Sequence, residues 1–402
     1  RLDWNEVIPA HRLNYIMGNP PFIGKKEQGT EQKLELLTLF EEKSGAGVLD
    51  YVTGWYSKSN RMIQQNRDIQ VAFVSTNSIT QGEQAPLLQK LVFSDDYEIK
   101  FAYRTFRWSN KAKFNAAVHC VIIGYSSREV KSKTLYLPDG TSFPAKNINV
   151  YLVDAPNMVI ERRSKPICQA PMMNYGSMPI DNGHLILNED DRLELILENL
   201  KNEKFIRQYL GGNELLNGQL RYCLWLKDAQ PKDIADSKFI SKRLKGCRNF
   251  RLASSRTQTK ALADYPYLFG EIRQPDVEMI VIPKVSSENR DYIPIGIVSP
   301  EVIVNGSALL IANADPYYFG VLISSVHNAW MRAVAGRLEL RYQYSKDIVY
   351  NNFPWPNPTP EQKEKIEQTA RAILAARERY PEASLADLYD ELTMPPDLRK
   401  AH

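Results

Sequence analysis

Residues 15–24 read Tyr15-Ile16-Met17-Gly18-Asn19-Pro20-Pro21-Phe22-Ile23-Gly24. A short apolar run is followed at once by an amide, two prolines and an aromatic ring. Proline fixes φ and has no backbone N–H, so two in succession after a strand force a rigid extended turn with free carbonyls. Such a turn holds acceptors still. The Asn19 side-chain oxygen and the Pro20 carbonyl, set on the two hydrogens of a nucleobase exocyclic amine, would draw that nitrogen toward a tetrahedral state. Its lone pair, otherwise shared with the ring, is then free to attack, and no strong base is needed. Phe22 can stack on a base pulled out of the duplex. A bare NPPF also fits a loop with an asparagine turn and a buried phenylalanine. Position favours chemistry, because ligands gather at the carboxyl ends of strands in α/β sheets.

The surroundings read as such a sheet. Asn14 to Met17 ends a buried strand, and Asp50 is placed to cap a helix whose Val52, Trp55, Tyr56, Ser59, Met62 and Ile63 share one face. Val71 to Val74 is a short apolar run of the kind covered on both faces, and a second helix runs through Leu87, Leu88 and Leu91. Further strands are expected at Tyr97–Tyr103 and Ala116–Tyr125, with a turn at Leu137–Thr141. This order predicts an α/β domain over residues 1–160. After a linker at Arg162–Pro166 the texture becomes mixed, with a helix from Asp190 to Asn199 and many short β-like runs, predicting an α+β domain over 161–350. Residues 351–402 form a helical tail, where Thr359, Pro360 and Gln362 cap one helix and Ser384 starts another.

Composition excludes several classes. The 402 residues contain no apolar run approaching the ~20 of a membrane span, and four scattered cysteines with five histidines have no zinc-site spacing. No metal site is expected. Net charge is only +4, yet Ser237–Lys260 carries eight Lys and Arg residues and no acid, as expected where phosphates are met or where a helix keeps a solvated basic face. Gly18 and Gly24-Lys25-Lys26 do not make a phosphate-binding loop, because the spacing is wrong and the prolines remove the N–H donors. Pro275-Asp276 with Glu278 and Lys284 is too spread to make a nuclease site.

The NPPF segment resembles the catalytic loop of amino-group DNA methyltransferases, in which N/D-PP-Y/F/W marks adenine-N6 and cytosine-N4 enzymes. LDYVTGWYSKS (49–59), VAFVSTNSITQGEQ (71–84) and FAYRTFRWSNKAKFNAAVHCVIIGY (101–125) extend the likeness to large single-chain restriction-modification methylases similar to MmeI. LGGNELLNGQLRYCLWLKDA (210–229), IPKVSSENRDYIPIG (282–296) and GRLELRYQYSKDIVYNNFPWP (336–356) continue it in the family's order. The resemblance implies the C-terminal part of a Rossmann-like class I methyltransferase sheet, followed by an α+β target recognition domain and the helical tail. It implies adenine-N6 methylation of double-stranded DNA with S-adenosyl-L-methionine, in the cytoplasm and nucleoid of a bacterium or archaeon. Asn19, Pro20, Pro21 and Phe22 match the catalytic motif, and Phe106 and Trp108 fall where such enzymes pack aromatic groups near the flipped base.

The family carries its glycine-rich donor motif before NPPF, and only eighteen residues precede Asn19 here. The expectation is therefore a C-terminal half that lacks the donor site and any N-terminal nuclease, and that is inert alone. No residue is assigned to the donor. DNA contact is expected from Lys242, Arg243, Arg248, Arg251, Arg256, Lys260, Arg273, Lys284, Asn289, Arg290, Arg337 and Arg341, since Arg and Asn read base edges and basic residues meet phosphates. Two other functions stay open at this point: a DNA-binding module without catalysis, and methylation of cytosine N4 or of a protein glutamine amide.

Overall fold

The computed structural model describes residues 3–43, 45–94, 96–108, 118–130 and 132–402. The chain divides into two units, Arg1–Ser164 with Arg332–Asn352 and Lys165–Met331 with Phe353–His402.

In the first unit, helix α1 (Trp4–Val7) precedes strand β1 (Tyr15–Gly18). Helices α2 (Thr30–Leu39) and α3 (Thr53–Gln65) lead to β2 (Gln70–Thr76), and α4 (Gln84–Leu91) leads to β3 (Glu98–Trp108). Strands β4 (Val118–Ser126), β5 (Lys133–Tyr136) and β6 (Ser142–Ala145) complete a six-stranded sheet in the order β1-β2-β4-β3-β5-β6. The β1–β2 and β3–β5 pairs are parallel and the others antiparallel. A parallel pair needs a crossover, which α2 and α3 supply between β1 and β2. Helix α3 buries Tyr56, Ser59, Met62 and Ile63, the face its spacing predicts. Tyr56 packs edge-on to Phe73 of β2 at 5.1 Å, and Phe93 packs edge-on to Tyr125 of β4, also at 5.1 Å. Burial raises both tyrosine hydroxyls above their ordinary pKa. Tyr56 bonds Ser75, while Tyr125 donates to Asn60 Oδ1 at 2.9 Å.

Four local expectations change. Strand β1, expected to be buried, exposes Tyr15, Met17 and Gly18 and partly covers only Ile16. The Asp50 side chain does not cap α3: position N-cap is Val52, and the Asp50 carboxylate turns toward the loop after NPPF. Strand β2 buries Val71, Phe73 and Ser75 on one face and only partly covers the other. Strand β3 continues past Tyr103 to Trp108, whereas the expected start of the next strand at Ala116 lies outside the described residues.

Residues 332–352, expected in the recognition domain, pack with the first unit. Here they clasp the segment read as a linker. Arg162 pairs with Asp347 at 2.7 Å, Asn351 Nδ2 donates to the Arg163 carbonyl at 2.7 Å, and Asn352 Nδ2 donates to the Glu161 carbonyl at 2.9 Å.

The second unit has two four-stranded sheets. One orders Ile303–Val304, Ile206–Leu210, Tyr222–Leu224 and Ile186–Leu187; the other orders Gly296–Val298, Met279–Pro283, Ala308–Ala312 and Met173–Tyr175. Helix Lys238–Leu252 starts at Ser237, whose Oγ accepts from the Ile240 N–H at 3.1 Å. The tail helix Pro360–Glu378 has the expected reciprocal cap, with Gln362 N–H on Thr359 Oγ1 and Thr359 N–H on Gln362 Oε1. Its expected partner is only one turn, Leu385–Leu388, followed by Pro396–Ala401. Among the described residues no helix is long and apolar enough to cross a membrane.

Candidate catalytic loop and nucleic-acid interface

Among the described residues strand β1 lies at the edge of its sheet, and Asn19 follows its last residue, Gly18, which pairs with Phe73 of β2. The loop therefore leaves the carboxyl end of a strand, where ligands of α/β sheets collect. Pro20 is buried and anchors the turn, Asn19 and Pro21 are exposed, and Phe22 is half-buried. Neither the Asn19 amide nor the Pro20 carbonyl has a hydrogen-bond partner among the described residues, so both acceptors remain available. Beside them lies a cavity of about 540 Å³ whose walls include Trp4, Ile8, Met17, Asn19, Trp55 and Phe73. This lining contains no carboxylate. Its walls are aromatic and aliphatic apart from the Asn19 amide and the backbone.

Phe106 and Trp108 lie near the carboxyl end of β3, which runs parallel to β1 and β2. Phe106 sits in the same row as Thr76 and Cys120, three positions along β2 beyond the row of Gly18. At ~3.3 Å per residue the row of Phe106 lies about 10 Å past the end of β1, and Trp108 sits two positions further along the strand. They are 6.2 Å apart and tilted, and Trp108 is 44% exposed. Arg104 and Arg107, which sequence reasoning passed over, are exposed on the same strand. Their alternation with aromatics along β3 was the available signal.

The basic candidates separate into two groups. Lys242, Arg248, Arg256, Lys260 and Asn289 are exposed, and Lys238 and Lys245 add to the same helix surface. Arg251 is the opposite and corrects its expected role in DNA contact. It is fully buried and gives all its hydrogen bonds to backbone carbonyls: Nε to Ile180, Nη1 to Leu262 and Tyr265, Nη2 to Pro179 and Leu268. Burial lowers its pKa from the ordinary arginine value. Arg243 is also committed, donating to the carbonyls of Gly183, His184 and Ile186 and pairing with Asp191. Arg273 pairs with Glu271 and donates to the Gly176 carbonyl, and Lys284 reaches the Gly306 carbonyl at 3.4 Å. Arg290 is half-buried, and that burial lowers its pKa. Arg337 and Arg341 belong to a hairpin of the first unit, Arg337 3.9 Å over the Tyr342 ring and Arg341 paired with Glu339 at 2.9 Å.

Residues 1–137 match the family described as MmeI, DNA-methyltransferase domain; residues 154–357 match MmeI, target recognition domain; and residues 358–402 match MmeI, C-terminal domain. DNA methyltransferase A of Bacillus subtilis (strain 168) is 37% identical over 404 aligned residues, covering 100% of this chain and 46% of that protein. The type IIL restriction-modification enzyme MmeI, solved in complex with DNA, superposes with a TM-score of 0.95 at 44% identity, covering 100% of this chain and 54% of MmeI. The chain thus spans about half the length of these relatives. With methyltransferase, recognition and C-terminal parts matched in order, it belongs to the MmeI-type DNA methyltransferase family.

Proposed function

We propose that the protein is a sequence-specific adenine-N6 DNA methyltransferase of a restriction-modification system, using S-adenosyl-L-methionine. In this reading the 402 residues supply the catalytic loop and the target recognition part. The observation that carries the reading is the open pair of acceptors on Asn19 and Pro20 at the end of β1, beside an apolar cavity. The Asn19 oxygen and Pro20 carbonyl hold the two amino hydrogens of a flipped adenine, so its nitrogen presents a lone pair. Phe22 stacks on the ring, and Phe106 and Trp108 pack near it. The donor supplies a sulfonium-bound methyl group. In this reading the donor's site takes in protein beyond these 402 residues, which alone transfer no methyl group. The same reading has the exposed Lys242, Arg248, Arg256 and Lys260 meet DNA phosphates, and Asn289, also exposed, contact a base edge.

Mapping modified bases in DNA from cells expressing the gene extended upstream, beside an Asn19→Ala control, tests this. N6-methyladenine in one short motif, reduced at least ~10²-fold by the substitution, is the expected result, because an oriented acceptor is lost from the reacting nitrogen. N4-methylcytosine in the motif would move the substrate to cytosine. No modified base from a folded, donor-binding protein would end the DNA methylase reading.

A further inference from the structure

The four residues Asn19 to Phe22 make no hydrogen bond to any described residue, so beyond the burial of Pro20 their path is set by what holds the chain on either side. On the upstream side that is the pairing of Gly18 with Phe73. On the downstream side both first anchors come from one place. The Tyr51 N–H donates to the Ile23 carbonyl at 3.0 Å, and the Lys25 N–H donates to Asp50 Oδ1 at 3.0 Å. A few residues on, Gln28 Nε2 donates to the Leu49 carbonyl at 3.0 Å.

Asp50 is only 3% exposed, and its carboxylate accepts four hydrogen bonds from uncharged donors. Oδ1 takes the Lys25 N–H and Gln84 Nε2, the latter at 3.1 Å; Oδ2 takes Thr76 Oγ1 at 2.9 Å and Ser78 Oγ. Gln84 returns the bond, its Oε1 accepting from the Asp50 N–H at 2.8 Å. A buried carboxylate is costly unless its lone pairs are satisfied, and here each oxygen is used twice. The groups it gathers are the exit of the NPPF loop, the carboxyl end of β2 and the first turn of α4. The loop exit is distant in sequence from the other two, and this side chain joins it to both.

We propose that Asp50 is a positioning residue for the catalytic loop, its carboxylate fixing the Lys25 N–H to the end of β2 so that Asn19 to Phe22 span a set distance between two rigid anchors. The role rests on the methyltransferase reading given above. Lys25 lies three positions beyond Phe22, a reach of at most about 10 Å, so slack at Lys25 passes directly to the Phe22 ring and the Pro20 carbonyl. Alanine at position 50 removes the tether. Asparagine keeps an oxygen for Lys25 and Gln84 and turns its NH2 toward two hydroxyls that can accept, so it restores most of the geometry.

The test uses the full-length protein carrying this chain, with Asp50→Ala and Asp50→Asn. Displacing a catalytic group by ~1 Å costs on the order of 10²-fold, so Asp50→Ala is expected to lower kcat by about that factor while DNA Kd stays within about twofold, with Asp50→Asn recovering most of the loss. Amide exchange at 23–28 is expected to quicken in Asp50→Ala, with β2 and β4 unchanged. An unaltered kcat overturns the proposal. So does a parallel loss of kcat, DNA affinity and protection across the whole sheet, which marks a purely structural residue. If the unsubstituted protein transfers no methyl group, the functional reading fails and the catalytic role with it, and exchange at Lys25 still decides whether the tether exists.

Discussion

Arg248 and Arg251 stand three residues apart in one helix, yet one faces water and the other has no exposed surface. Both belong to a run of positive charge, and charge alone does not separate them. Helix phase does. Arg251 follows the buried Leu244 and Cys247 at spacings of seven and four, so it lies on the core stripe, whereas Arg248 falls off it. The guanidinium is tolerated there because five carbonyls from 179–180, 262–268 and their loops converge on its fork. Replacing Arg251 with methionine keeps much of the volume and leaves those carbonyls without their donor. Unmet buried acceptors cost ~1–3 kcal/mol each before relaxation, so a net loss of about 3–5 kcal/mol is expected in denaturant unfolding. Arg248→Gln should stay within ~0.5 kcal/mol of the parent. Equal stability of the two variants would remove Arg251 from its structural role.

At the scale of elements, the exposed basic side chains of helix Lys238–Leu252 form a stripe. Lys238, Lys242 and Lys245 recur at four and three residues, opposite Phe239, Ile240, Leu244 and Cys247. If this stripe meets phosphates, changing Lys242, Lys245 and Arg248 together to glutamine should reduce the slope of log K against log salt by about 2–3, since each phosphate contact contributes ~0.9. An unchanged slope would place the DNA elsewhere. Local signals made several elements readable from the chain: two prolines after an apolar run, the one-sided spacing of α3, and the Thr359–Gln362 cap. Elements defined by distant partners were not readable. Nothing in GRLELRYQYSKDIVYNN announces that it will clasp Arg162 and Arg163, because that clasp joins residues nearly two hundred positions apart. Asp50 was misjudged for the same reason. An acid just ahead of a helix suggests a cap, and its actual donors are supplied by three separate segments.

Across the whole molecule the two units should answer acid differently. In the second unit His327 is fully buried against Phe353, ring centroids 4.5 Å apart, and burial lowers its pKa to about 3. Unfolded, a histidine titrates near ~6.5. Above that pH neither state holds the proton. As pH falls from about 6.5 toward 3 the unfolded chain takes up a proton that the folded unit refuses, so stability drops by as much as ~1.4 kcal/mol per pH unit. The first unit's clasp follows a later schedule. Burial raises the Asp347 carboxyl, but hydrogen bonds and charge from Lys346 and Arg162 outweigh it and hold its pKa below the ordinary carboxylate value. Its contribution is therefore complete above pH ~4 and is lost only as pH falls through the lower folded value. Hydrogen exchange followed from pH 7 to 4, corrected for intrinsic rates, should show protection falling first in 279–283 and 316–331, with β2 and β4 holding until near pH 4. His327→Gln should flatten the second unit's dependence. Loss of protection in both units at one pH, unaffected by that substitution, would mean that other groups govern the acid response.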